Sequence, residues 1–209
     1  TVFVTTSGFG DVLRIAYQNR PDLFARHILL PELLYEQVIE VEERIDAHGK
    51  LITPLNKDAA RDDMQSAFDR GIRSVAIALM HAYRYHDHED QLQVLAEGIG
   101  FTQISVSHDV SSLMKLVSRG DTSVVDAYLS PILRRYVGQV SDELGLTSKG
   151  ASVPRLMFMQ SNGGLCDAHM FQGKDAILSG PAGGVVGMVK TGYAGGYNKL
   201  IGFDMGGTS

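Results

Sequence analysis

A single cysteine, Cys166, stands among 209 residues, which excludes an internal disulfide framework and any multi-cysteine metal site. Such sparing use suits a reducing compartment, and a cytoplasmic setting is expected. There is no long Lys/Arg run and no basic stripe, and the net charge is −5, so neither nucleic acid nor an anionic membrane is an expected partner. No apolar run approaches the roughly 20 residues a membrane helix needs, and no signal-peptide pattern is present. Internal repeats and low-complexity tracts are absent as well. What is there is ordinary for a soluble globular protein: 44% hydrophobic and 21% charged residues, enough for one large domain or two small ones.

Both ends read as cut from a longer sequence. Thr1 to Thr6 starts abruptly in a strand-like alternation without an initiator methionine, and Gly206-Gly207-Thr208-Ser209 stops inside a glycine loop. Between them the periodicity predicts a strand over 2–6, a helix over 8–17 broken at Gln18-Asn19-Arg20-Pro21, and a half-exposed strand within 35–45. A turn at Asp46-Ala47-His48-Gly49 leads to a short strand at Leu51-Ile52. Asn56 caps a helix with an apolar stripe of Ala60, Met64, Ala67 and Phe68, stopped by Gly71. Val75 to Met80 reads as a buried parallel strand, and a helix over 88–97 with a strand over 102–107 completes a right-handed β-α-β unit. Asp121 opens a helix to about 144, in which Pro131 predicts a kink or break.

Beyond residue 150 glycine becomes frequent. A strand over 156–159 runs into Gln160-Ser161-Asn162-Gly163-Gly164, followed by a short helix over 166–171 and a short strand at Ile177-Leu178. Pro181 suits the first position of a small-residue helix over 182–190, and a last strand spans 200–203. The class is α/β, with an N-terminal region over 1–110 and a glycine-rich part over 111–209.

The final block, Asp204-Met205-Gly206-Gly207-Thr208-Ser209, carries the strongest chemical signal. A strand delivering Asp, two glycines and a hydroxyl residue is one way a hairpin wraps phosphate, because glycine lets backbone N–H groups approach an anion. Thr208 can donate to a phosphate oxygen, and Asp204 can hold Mg²⁺ directly or through water. A plain tight turn explains the same residues. The motif is neither the GxxxxGK[ST] loop nor GxGxxG.

The order of elements around this block resembles the second half of an actin/sugar-kinase/heat-shock-type, ribonuclease H-like ATPase domain. There, a small-residue helix precedes the second phosphate hairpin, and Gly180, Ala182, Gly183, Gly184 and Gly187 would let two halves approach. More specifically, Met159 to Gly164, Leu178 to Gly187 and Phe203 to Ser209 resemble the signature blocks of the hydantoinase A/5-oxoprolinase family. Val4 to Phe9 and Gln18 to Leu23 resemble its upstream region.

This resemblance implies an ATP-dependent hydrolase that opens a cyclic amide, hydantoin or 5-oxoproline, by phosphorylating its carbonyl. It implies ATP and Mg²⁺ as cofactors, and a hydantoinase B-type partner subunit or domain. Asp204 would be the metal-holding and catalytic residue. Gly206, Gly207, Thr208, Ser209, Gln160, Ser161, Asn162, Gly163, Gly164, Gly183 and Gly184 would bind the nucleotide. The family's first Asp-x-Gly-Gly-Thr loop belongs upstream of Thr1, so this piece is expected to be inactive by itself. Met114 to Asp121 departs from the hydantoinase-like pattern toward the branch of acetone-carboxylase-type subunits. A non-catalytic ATPase-like interaction module is the other alternative.

Three further features have bland explanations. His81, His86 and His88, beside Asp87, Glu89 and Asp90, match no strong zinc spacing and read as a loop and a first helical turn. Cys166 reads as a small half-buried residue rather than a nucleophile. Arg20 could bind a carboxylate or pair with Asp22.

Overall fold

The computed structural model describes residues 1–18, 22–28, 30, 32–145 and 155–205, in two compact units, Thr1–Pro131 and Ile132–Ser209. Unit 1 opens with strand β1 (Val2–Thr6) and a short helix α1 (Val12–Ile15), less than half of the span expected for it. β2 (Gln37–Val41) follows, then an antiparallel hairpin of β3 (Arg44–Ile45) and β4 (Leu51–Thr53), closed by the predicted turn. Helix α2 (Lys57–Asp69) is capped as expected: the Asn56 side chain accepts from the Ala59 N–H at 3.3 Å. β5 (Ser74–Ala78), α3 (Asp87–Ile99), β6 (Gln103–Val106) and the single turn α4 (Ser107–Val110) complete the series.

Four of these strands form one parallel sheet in the order β2-β1-β5-β6. Alternation sorts its side chains between two layers. Val2, Val4, Val75 and Ile77 pack with Met64 of α2 and Leu92 of α3. Phe3, Ala76 and Ala78 pack on the other face with Leu13, Leu116 and Ala127. Strands buried on both faces must be apolar throughout, which is why Val75 to Leu79 is a continuous run. The chain leaves β1 toward β2 on one side and returns to β5 on the other. The carboxyl ends of β1 and β5 therefore flank the crevice where such sheets bind ligands.

Helix α5 (Leu116–Glu143) starts five residues before the expected Asp121 and runs through Pro131, the last residue of unit 1. Without an N–H there, the Ala127 carbonyl loses its intrahelical donor.

Unit 2 departs further from expectation. β7 (Met157–Met159) forms as predicted, but residues 165–167 are its antiparallel partner β8 (Leu165–Asp167) rather than the start of a helix. Pairing across the Gln160–Gly164 turn supplies backbone hydrogen bonds that the short helix expected over 166–171 would lack at its first residues. A 3₁₀ turn (Ala168–Met170) and α6 (Gly173–Ala176) follow. Ile177 and Leu178, expected as a strand, have no ladder partner; Ile177 has helical dihedrals, and the two residues form the turn between α6 and α7 (Ser179–Ala194). Pro181 lies within the first turn of α7, where a missing N–H is tolerated. Val137, Ala168 and Phe171 form the small core, with Phe158 stacked on Phe171 at 5.0 Å.

The expected strand over 200–203 is not formed. No strand among the described residues pairs with it, and Ile201 and Phe203 are exposed. The segment lies along α7 instead: a Cβ on Gly192 would sit 2.5 Å from Leu200 Cδ1, and one on Gly202 2.5 Å from Met188 Sδ. Among the described residues no helix is long and apolar enough to cross a membrane.

Candidate functional site

The Gln160–Gly164 turn is a self-contained hydrogen-bond unit. Gln160 N donates to the Gly164 carbonyl at 2.8 Å, Gly163 N to the Gln160 carbonyl at 2.9 Å, and Gly164 N to Asn162 Oδ1 at 2.7 Å. Ser161 ties the turn to the α6–α7 link: its N–H and its hydroxyl both donate to the Asp175 carbonyl at 2.7 Å, and Leu178 N donates back to Ser161 Oγ at 2.9 Å. Gly163 holds φ +81°, and a Cβ there would meet Val186 Cγ2 of α7 at 3.2 Å. Most backbone donors of this turn are therefore already used, and its side chains are engaged as well, Asn162 Nδ2 donating to Gln160 Oε1 at 3.5 Å.

Helix α7 does not make the close approach expected of its small residues. A Cβ on Gly183 would touch only the Met159 side chain at 3.6 Å, and Gly180, Gly184 and Gly187 have open space beyond Cα. Asp204 is exposed and makes no hydrogen bond or ion pair among the described residues, so its carboxylate is available to a cation. Gly206, Gly207, Thr208 and Ser209 lie outside the described residues, as does Arg20. Burial, with Asp175 and Asp167 nearby, pushes the Cys166 thiol up, away from the reactive thiolate.

Unit 1 gathers a second set of polar groups at the carboxyl edge of its sheet. Thr6 donates to Glu43 and accepts from Met80 N at 3.1 Å, joining the ends of β1 and β5. Glu43 also takes His88 Nδ1 at 2.7 Å, both side chains being buried. Gly8 N and Gly10 N converge on Glu40 Oε1 at 2.7 and 2.9 Å, so this loop already holds an anion from its own chain. Glu89, fully buried, accepts from Leu79 N at 2.8 Å, Ser107 Oγ at 2.6 Å and His108 Nδ1 at 2.8 Å. Arg119, also fully buried, donates to Ser107 Oγ at 2.8 Å and to the carbonyls of Leu79, Met80, Leu113 and Met114. The Glu89 hydrogen bond raises the pKa of His108 against the opposing effect of burial, and the charges of Glu89, Asp109 and Asp90 add to the rise.

The three histidines close in sequence do not converge. His81 bonds the Ile45 carbonyl and His88 bonds Glu43, while His86 meets Asp90 and the distant His108. Sequence spacing missed His108 because it arrives on α4, after β6. The i, i+4 relation of His86 and Asp90 across the start of α3 was the available signal.

A parallel α/β unit joined to a small glycine-rich unit is the architecture of a known group of ATP-dependent enzymes. The ATP-dependent caprolactamase from Pseudomonas jessenii superposes with a TM-score of 0.77 at 27% identity, over 99% of this chain and 31% of that one. Nucleotide-free acetone carboxylase superposes with a TM-score of 0.72 at 21% identity, over 93% of this chain and 29% of that one, a likeness of fold alone. Residues 1–100 match the hydantoinase/oxoprolinase N-terminal region, and residues 119–209 match the hydantoinase/oxoprolinase model. The chain belongs to the hydantoinase/oxoprolinase family.

Saccharomyces cerevisiae 5-oxoprolinase is 38% identical over 99% of this chain and 18% of its own length. The acetophenone carboxylase gamma subunit of Aromatoleum aromaticum is 29% identical over 93% of this chain and 26% of its own length. The chain thus spans under a fifth of the length of the 5-oxoprolinase it matches.

Proposed function

We propose that the protein containing this chain is an ATP-dependent hydrolase that opens a cyclic amide, 5-oxoproline or a hydantoin, by way of carbonyl phosphorylation. One observation carries the reading: the 38% identity to a 5-oxoprolinase extends over 99% of the chain, taking in the glycine-rich blocks as well as unit 1. The carboxylase relative is more distant at 29%, which favours the cyclic amide over a ketone despite the Met114 to Asp121 departure.

The chemistry suits the substrate. A ring amide is resonance-stabilised and a poor electrophile. Transfer of the terminal phosphoryl group of ATP to the carbonyl oxygen, with release of ADP, makes the ring carbon electrophilic. Water adds there, the ring C–N bond breaks as the nitrogen takes a proton, and a second water hydrolyses the resulting acyl phosphate to carboxylate and phosphate. The protein's task is then to position and neutralise phosphates. Asp204, exposed and unpartnered among the described residues, would hold Mg²⁺. Gly206, Gly207, Thr208 and Ser209 would cradle phosphate. Gln160 and Asn162 would contact the nucleotide through their side chains, with Ser161, Gly163 and Gly164 fixing the turn. The absence of side chains at Gly183 and Gly184 would leave α7 open to close approach.

In this reading residues 1–110 form the N-terminal region and 111–209 the start of the ATPase-like domain. A hydantoinase B-type subunit or domain completes the enzyme, and the setting is cytoplasmic.

The test supplies the full-length protein with ATP, Mg²⁺ and, separately, 5-oxoproline, hydantoin, or acetone with bicarbonate. ADP formed in step with ring opening is the expected result. Stimulation by the ketone and bicarbonate alone would move the protein to the carboxylase branch. ATP turnover unmoved by every substrate would mark a non-catalytic module.

A further inference from the structure

Unit 1 contains a cluster that the reading above does not use. His86, Asp90 and His108 each offer one ligand atom, all within 4.8 Å of one another. His86 Nδ1 lies 2.7 Å from Asp90 Oδ2, and His108 Nε2 lies 3.2 Å from Asp90 Oδ1. His86 immediately precedes α3 and Asp90 occupies its first turn, while His108 comes from α4. The three thus join the segments that follow β5 and β6.

The hydrogen-bond arithmetic around His108 shows why the place calls for a cation. Glu89 accepts at Oε2 from both the backbone N–H and Nδ1 of His108, so the Nδ1 proton points inward. Nε2 then faces two carboxylates, Asp90 Oδ1 at 3.2 Å and Asp109 Oδ1 at 3.6 Å. A bare nitrogen lone pair against two acceptors is repulsive, and something positive must stand between them. A second ring proton satisfies this, and so does a metal ion. A carboxylate on the far nitrogen of a histidine is also the arrangement that orients metal-ligating imidazoles and raises their basicity. Glu89 is itself fixed by Leu79 N and Ser107, so the orientation of His108 is set by a buried frame.

We propose that His86, Asp90 and His108 form a binding site for a divalent first-row transition ion of the Zn²⁺ class, with Glu89 as the positioning residue behind His108. Two imidazoles and one carboxylate are the donor set such ions prefer over Mg²⁺ or Ca²⁺. Three protein ligands leave at least one coordination position for water or a small anion. The His86 and His108 rings stack at 4.5 Å with 19° between their planes, so their lone pairs cannot share one ion in that pose. Binding requires His86 to rotate out of the stack. Its side chain is half exposed, which leaves it free to do so. The ion would clamp α3 to the β6–α4 corner at the carboxyl edge of the sheet.

The site is independent of the proposed amidohydrolase activity, and its test does not read activity. Zn²⁺ is titrated into the purified 209-residue chain by calorimetry, and Co²⁺ is followed through its visible absorption. One ion per chain is expected, with an absorption spectrum of nitrogen and oxygen ligation. Asp90→Asn and His86→Ala alter side chains that are only half-buried and leave the metal-free melting temperature near wild type. Each should weaken binding at least about tenfold, and Glu89→Gln by about 10–100-fold. His48→Ala, in the β3–β4 turn, should bind as wild type. No binding, or binding undiminished by both Asp90→Asn and His86→Ala, overturns the proposal and leaves the cluster as a proton-bridged side-chain network.

Discussion

Glu89 and Arg119, both fully buried, share a single hydroxyl: Ser107 Oγ donates to the carboxylate at 2.6 Å and accepts from the guanidinium at 2.8 Å. The two charges face each other across that group without direct contact, and every other partner named for Arg119 is a backbone carbonyl. Removing the cation leaves those carbonyls without a donor and takes away one of the positive groups facing the buried carboxylate, which keeps only its bonds from Leu79 N, Ser107 and His108. Arg119→Met should therefore destabilise the chain by about 3–5 kcal/mol. Denaturant unfolding measures this, and a loss under 1 kcal/mol would mean that water replaces the guanidinium.

This network also shows where sequence reading reached its limit. Elements governed by local chemistry were legible: β1 from its alternation, β5 from its apolar run, β6 as the strand completing a β-α-β unit, α2 from the Asn56 cap and its Ala60-Met64-Ala67 stripe, and the 46–49 turn from its glycine. The meeting of Glu89, Ser107 and Arg119 was not, since each residue looks ordinary in its own segment and only the parallel sheet brings them together. Unit 2 was misread for a related reason. Residues 165–167 become a strand because β7 lies across a tight turn, while 200–203, although more apolar, finds no strand to pair with among the described residues. Of the candidate site, the Gln160–Gly164 turn proved ordered, but its backbone donors are spent internally, which residue type could not reveal.

The β3–β4 turn offers a pH-dependent test. Asp46 Oδ1 accepts from His48 N at 2.8 Å and Lys50 N at 2.9 Å, and these bonds, the Lys50 one first, hold its carboxyl below the usual range. A lowered folded-state pKa gives stability that is present above the ordinary aspartate value of about 3.9 and lost as pH falls through the folded value. Asp46→Ala should lower the melting temperature by a constant amount between pH 5 and 8, by this linkage. The gap to wild type should then narrow as pH drops below about 4. A gap unchanged through that acid range would show that the charge is not what the turn uses.

Gly163 is tested by a single methyl group. Its φ of +81° disfavours any side chain, and a Cβ would press on Val186 Cγ2 at 3.2 Å. Gly163→Ala should destabilise the β7–β8 turn by about 1 kcal/mol or more. Gly184→Ala, with open space at the Cβ position, should be neutral or slightly stabilising through helix propensity. Equal effects of the two substitutions on unfolding would show that the turn relaxes around the added carbon.

Asp204 separates a catalytic role from a structural one in the full-length protein. If its carboxylate holds the nucleotide's Mg²⁺, Asp204→Asn keeps size and hydrogen-bonding capacity but removes the charge that opposes the ion. Loss of an electrostatic stabiliser at a phosphoryl-transfer site costs about two to four orders of magnitude in turnover. Stability should barely move, because Asp204 is exposed and makes no hydrogen bond or ion pair among the described residues. A carboxylate that merely caps the following glycine turn predicts the opposite: asparagine serves as well as aspartate in that position, so turnover stays near normal. Substrate-stimulated ADP release and the melting temperature, measured on the same preparation, distinguish the two. A collapse of turnover at unchanged melting temperature assigns Asp204 to the metal, and near-normal turnover removes it from the chemistry.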